Sequence, residues 1–306
     1  MGSVRLIRLS HRHLSPQERR RLLTGLAFLS PWIIGFLAFI LYPLVTSLYY
    51  SFTDFSLFTA PDWVGIENYR ELFTADDKFL LSLYNTIYFA ALVMPASIVL
   101  ALLMALVLNL PLRGISFYRA IFFMPTIVPA VASAIVWSWI LNPGWGLLNG
   151  FLRIFGIPGP PWMTSPAWAK PSLVLVTLWA IGSDMIIYLA ALKDIPSTYY
   201  EASSLDGANT WQKIMRITLP LVTPVIFFHL VNGTIWAFQY FTIAFVMTDG
   251  GPANATLFYA LYLYRNAFEY IRMGYASAMA WILFAIVMGT TLLMLRSSNK
   301  WVYYEG

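Results

Sequence analysis

The sequence predicts an all-α polytopic membrane protein with six transmembrane helices. Three observations lead there. Of 306 residues, 59% are hydrophobic and only 11% charged, with a mean hydropathy of +0.68, far from the roughly one-quarter charged content of soluble domains. Uncharged runs recur along the chain, each long enough for the roughly twenty residues that cross the hydrocarbon at about 1.5 Å per residue. The basic residues then fall mostly on one side of the topology that these runs define.

Taken in order, residues 1–21 form a basic tail in which Arg5, Arg8, Arg12, Arg19, Arg20 and Arg21 stand against one acid, Glu18. Such a tail stays in the cytoplasm. The apolar run after it is too long for the core of a signal peptide and no Ala-x-Ala site follows, so it reads as an uncleaved first span over about 22–48. Pro31 and Pro43 are placed to bend it. Residues 52–82 are acidic and loop-like, on the outer side. A second span covers about 83–109, the segment 111–114 turns in the cytoplasm, and a third span covers 117–141, ending at Asn142-Pro143-Gly144. Residues 147–155 suit a helix in the outer interface, and 157–161 is too rich in proline for regular structure. The fourth span is 172–192, the cytoplasmic loop 193–220, and the fifth span 221–248. An outer segment over 254–272, a sixth span over 274–295 and a cytoplasmic tail over 297–306 complete one transmembrane domain at 22–296, with no internal repeat. Of the 19 Lys and Arg residues, thirteen then lie inside and six outside, so the sidedness is self-consistent.

The composition excludes several function classes. Cysteine is absent and only three His occur, so disulfides, thiolate metal sites and a zinc centre are not expected. The pI of 9.3 reflects membrane sidedness, because no basic patch with interleaved aromatics suggests nucleic acid. Without Gly-x4-Gly-Lys-Ser/Thr the chain holds no phosphate-cradling loop, so any use of ATP needs a partner. His-Glu-x2-His and Gly-x-Ser-x-Gly are missing too, which leaves no catalytic set.

The loop at 198–220 is the longest polar interruption in the second half. Thr198 and Glu201 have capping-box spacing, Asp206-Gly207 stops the helix so begun, and Asn209 or Thr210 caps a second helix that ends before Pro220. On that second helix Trp211, Ile214, Met215 and Thr218 make an apolar face, with Lys213 and Arg216 toward the other side. Small Ala202, Ser203 and Ser204, with Gly207, suit close approach by another protein; a plain capped connection between spans is the other reading.

Polar residues within the spans need pairing or a wet path. On the fifth span His229, Asn232, Trp236, Gln239, Tyr240 and Ile243 recur on one face. Such a face can stack an indole on a sugar ring while amides bond its hydroxyls, or can simply pack between helices. Asp184 is the only acid predicted within a span, open to pairing with a neighbouring helix, capping a kink beside Gly182, lining the path or acting as a proton site.

Glu201-Ala202-Ser203, then Gly207, then Ile217 and Leu219-Pro220, resembles the EAA loop of ABC importer permeases, with Ser203 in place of the usual third alanine. Arg119 to Pro125, Trp137 to Pro143, Gly146 to Asn149, Gly250-Gly251-Pro252 and Met273 to Ala278 extend the likeness to the carbohydrate-uptake group of lactose, maltose and glycerol-phosphate permeases. The resemblance implies a type I importer permease fold with a cytoplasmic coupling helix between spans four and five. It also implies the partners: a second homologous permease, two ATPase subunits that hold ATP and Mg, and an extracytoplasmic sugar-binding protein. By the same likeness, Glu201, Ala202, Ser203, Asp206, Gly207, Ile217, Leu219 and Pro220 couple to the ATPase. Asn232, Trp236, Gln239, Tyr240 and Asp184 are the candidate substrate path. The location implied is a bacterial or archaeal inner membrane, multi-pass, with both termini cytoplasmic. No cofactor is expected in this chain and no enzymatic activity. A glycerol-phosphate substrate would call for Arg or Lys lining the path, and no span interior holds one, so a neutral oligosaccharide fits better. An ion-coupled secondary transporter would show inverted repeats and charged relays, which are not visible.

Overall fold

The computed structural model describes residues 15–111 and 113–303. The expectations for Arg5, Arg8, Arg12 and the last three residues lie outside them. Helix α1 (Pro16–Phe36) passes through a π turn (Leu37–Leu41) into α2 (Tyr42–Tyr50), so the first helix starts earlier than the expected span at 22–48 and takes in Arg19 to Arg21. Ser15 and Glu18 form a capping box at its start. Neither α1 nor α2 contains a buried residue.

After α2, β1 (Thr53–Asp54) pairs antiparallel with β2 (Asp62–Trp63), and α3 (Glu67–Thr74) follows. Helix α4 (Asp77–Leu108) is the axis of the fold, packing on four other helices described below. Its buried stripe of Phe89, Val93, Ser97, Ala101 and Ala105 recurs every four residues. Small residues toward its C-terminal end let neighbouring backbones approach, which is how helices associate where apolar burial brings little gain.

The third expected span, 117–141, is not one straight helix. Helix α5 (Ile115–Phe123) and a 3-10 turn (Met124–Ile127) meet α6 (Ala130–Ile140) at a bend of 100°. Pro125 and Pro129 each remove a backbone donor within five residues, so the helical ladder cannot run through. Helix α7 (Leu147–Ile154) comes next. The fourth span, expected over 172–192, starts at Pro166 and is also broken, as α8 (Pro166–Trp179) and α9 (Gly182–Asp194) meet at 51°. The two breaks touch: a Cβ on Gly182 would collide with the carbonyl oxygen of Phe122.

Helix α10 (Ser197–Leu205), the short α11 (Thr210–Lys213), a π turn (Ile214–Thr218) and α12 (Leu219–Phe238) follow. Pro220 does not end the helix, contrary to expectation. The π turn ahead of it already bonds Leu219 N–H to Ile214 O, so the ladder has changed register before the proline's missing donor falls due. The same order, π turn and then proline two residues on, explains Pro43. The fifth helix thus runs from Thr210 to Phe238, and the expected stretch to 248 is a separate α13 (Thr242–Met247). Helix α14 (Tyr259–Tyr264) with a π turn (Arg265–Glu269) occupies the segment expected at 254–272, and α15 (Met273–Ser298) ends the bundle.

Helix α4 packs against α8, α9, α12 and α14. Among the described residues four helices are long and apolar enough to cross a membrane, or up to six if each bent pair is one span. The segments around α3 and α14 are pinned by Asp76, whose Oδ2 accepts from the hydroxyls of Tyr262 (2.7 Å) and Tyr275, and by the Arg272–Glu71 ion pair. Burial, and then the bond to Asp76, push the Tyr262 phenol far above its ordinary range, so it stays neutral and donating.

Candidate functional site

A cavity of about 450 Å³ opens between α4, the break in the third span, α8, α9 and α12. Its chemistry is concentrated where α9 meets α12. Asp184, in the first turn after the Gly182 break, places Oδ2 at 3.4 Å from His229 Nε2. Ser97 Oγ from α4 lies 3.4 Å from the same nitrogen and also lies 2.9 Å from Met94 O, to which it donates. Tyr188, one helical turn beyond Asp184, brings its hydroxyl to 3.1 Å from His229 Nδ1. Since Ser97 spends its proton on Met94, the arrangement fits an imidazole that carries hydrogen on Nε2 and accepts from Tyr188 on Nδ1.

From α12, His229, Asn232 and Trp236 all line the cavity, and Ile243 joins them from α13. Trp236 is 45% exposed and meets Tyr240 edge-on at 5.2 Å. Tyr240 itself is buried against Phe89 and Phe258, with its hydroxyl accepting from Thr177 Oγ1 at 3.2 Å. Gln239 caps the end of α12, is exposed, and is not among the cavity's lining residues. The cavity thus gathers Asp184, Asn232 and Trp236 from the sequence candidates and leaves Gln239 and Tyr240 beside it. Ser97, Ser133, Trp179, Ser183 and Tyr188 also line it, and sequence reasoning passed over them. They come one or two at a time from separate helices, so no linear pattern marks them. The Gly182 break beside Ser183 was the one available signal.

The second feature is the loop at 197–218. Thr198 does not cap α10; Pro196 holds the N-cap position, and Thr198 falls inside the helix because the turn begins two residues earlier. The other end is a Schellman motif. Ala208 N–H reaches Ser203 O (2.9 Å) and Gly207 N–H reaches Ser204 O (3.1 Å), with Gly207 at φ +77°. Asn209 then caps α11 in a full capping box with Gln212. Lys213 Nζ to Ser204 Oγ (2.6 Å) and Tyr200 OH to Thr218 Oγ1 (2.9 Å) brace the two arms. Glu201, Ala202, Asp206 and Gly207 are exposed, Ser203, Ile217, Leu219 and Pro220 partly so. Leu205 is 91% exposed and Trp211 66%, an apolar pair standing on a polar surface.

Residues 97–301 match the family model described as "Binding-protein-dependent transport system inner membrane component". The chain belongs to that family. The matched stretch of this inner membrane component includes the Asp184–His229 pair and the whole of the loop. Over 291 residues it is 45% identical to the probable ABC transporter permease protein YesP of Bacillus subtilis, covering 94% of both chains. It is 33% identical over 277 residues to the sulfoquinovosyl glycerol transport system permease protein SmoG of Agrobacterium fabrum, covering 90% of each. Among solved structures, a chain of a bacterial ABC transporter involved in import of the acidic polysaccharide alginate superposes with a TM-score of 0.83 at 25% identity. That superposition covers 93% of this chain and 98% of that one.

Proposed function

We propose that this chain is the permease subunit of an ATP-driven importer that moves a sugar across the membrane by alternating access, beside a second permease and above two ATPase subunits. The observation that carries the reading is a mechanical one. The helix that begins at Thr210 in the braced loop continues without a gap to Phe238, and so joins an exposed docking surface to the cavity residues His229, Asn232 and Trp236. From Trp211 to Trp236 that is about 38 Å at 1.5 Å per residue. Displacement of the loop by an ATPase that closes on ATP is transmitted to the cavity wall as a rigid-body movement. Exposed Leu205 and Trp211 supply the apolar contact, and Glu201 with Asp206 the polar rim.

The cavity chemistry suits a saccharide. Trp179 and Trp236 offer indole faces for the C–H side of a ring, while Asn232, Ser183 and Asp184 replace water at its hydroxyls. The relatives named for transport of sugar derivatives support the same class. Delivery by an extracytoplasmic binding protein follows from the family description. The test is ATPase activity of the assembled complex in nanodiscs, with and without its sugar-loaded binding protein. Stimulation by the loaded protein is expected; solute movement on an ion gradient by this chain alone, with no ATPase, would overturn the proposal.

A further inference from the structure

Charge at the cavity wall separates two kinds of sugar. Asp184 is the only carboxylate and His229 the only imidazole among the residues that line it, and neither Lys nor Arg contributes. The two are not presented equally. The Asp184 side chain is 36% exposed and that of His229 only 9%, because the imidazole is held behind the carboxylate by Tyr188 on one nitrogen and Ser97 on the other. An occupant therefore meets the carboxylate, and His229 acts as its positioning residue.

A carboxylate only accepts hydrogen bonds. Sugar hydroxyls donate and pair with it. A uronate, sulfonate or phosphate ester brings acceptors and a like charge to the same spot, where the low-dielectric wall strengthens the repulsion. We propose that Asp184 is a specificity-determining residue that makes the cavity reject anionic saccharides, so that the cargo is an uncharged sugar. This is opposite to what an acidic polysaccharide would need. The inference rests on the reading of the cavity as the sugar path.

The absence of cysteine from the chain permits a test that needs no knowledge of the sugar. Asn232→Cys, one helical turn from His229, is made in the full complex and labelled with two methanethiosulfonate reagents of matched size, one cationic and one anionic. Rates are divided by those for free cysteine, and modification is read on this chain by mass. The ratio of the two rates cancels any change in thiol ionisation. With Asp184 present the cationic reagent should be favoured roughly tenfold or more. Asp184→Asn should bring the ratio near one and Asp184→Glu should keep it. A ratio near one with Asp184 in place overturns the proposal whether or not the variants assemble, and so does a high ratio that Asp184→Asn leaves unchanged. Sugar uptake by the unsubstituted complex, with Asn232 and Asp184 both in place, separates the two readings. A cation-favouring ratio without uptake would sink the sugar path and leave the charge assignment standing.

Discussion

His229 Nε2 and Asp184 Oδ2 lie 3.4 Å apart across the contact between α12 and α9, joining the helix that descends from the exposed loop to the helix that leads into it. Replacing His229 by Ala leaves Asp184, Ser97 and the Tyr188 hydroxyl without that partner. The expected cost is about 1–3 kcal/mol for the stranded polar groups, read as a lower unfolding temperature of the detergent-purified complex by intrinsic tryptophan fluorescence. His229→Gln should recover part of the loss. Equal stability of the Ala variant would mean that the contact is spent in solvent and holds nothing.

Glu201→Lys reverses the charge of an exposed residue on α10 and disturbs no buried side chain. Membrane insertion and complex yield should stay at the unsubstituted level while stimulation of ATPase by the loaded binding protein falls about tenfold, an energy of about 1.4 kcal/mol at the docking surface. Full stimulation would remove Glu201 from the coupling role.

At Gly207 an added Cβ meets nothing within 4 Å, yet the backbone stands at φ +77°. The penalty for Gly207→Ala is therefore conformational, about 1–2 kcal/mol, and confined to the loop. Gly207→Asn should be milder, since asparagine tolerates that region. Hydrogen exchange of residues 203–208 should rise in the Ala variant with no change in α4; a rise spread over the bundle would contradict this.

Trp236 and Tyr240 stand four residues apart with opposite burial. Trp236→Ala should raise the sugar concentration needed for half-maximal uptake with little change in thermal stability. Tyr240→Ala should destabilise by about 3–5 kcal/mol through the lost packing on Phe89 and Phe258, lowering yield first. The reverse pattern would move the sugar contact from one ring to the other.

The contrast between those two rings shows what the sequence could express. Spacing placed His229, Asn232 and Trp236 on one face, because a single helix obeys its own period. Tyr240 satisfied the same spacing, yet α12 ends at Phe238 and the chain turns at Gln239, so the period no longer applied. The loop was legible through Gly207 and Asn209, whose roles depend only on neighbours in sequence. Thr198 was misplaced by local chemistry that competes over two residues. The bends of 100° and 51° were harder: Pro125, Pro129 and Gly182 were visible as residues, but hydropathy reads straight through a break that leaves composition unchanged. Ser97 and Tyr188 acquire meaning only when three helices converge on His229.

The π turn at 214–218 has a geometric consequence. It inserts one extra residue between the exposed loop and the cavity wall, and each residue advances an α-helix by about 100°. The turn thus fixes the azimuth at which a push on the loop arrives at Asn232 and Trp236. Rewinding the same residues into an ordinary helix would leave the sequence unchanged, while the lever swung about a quarter of a revolution off its target.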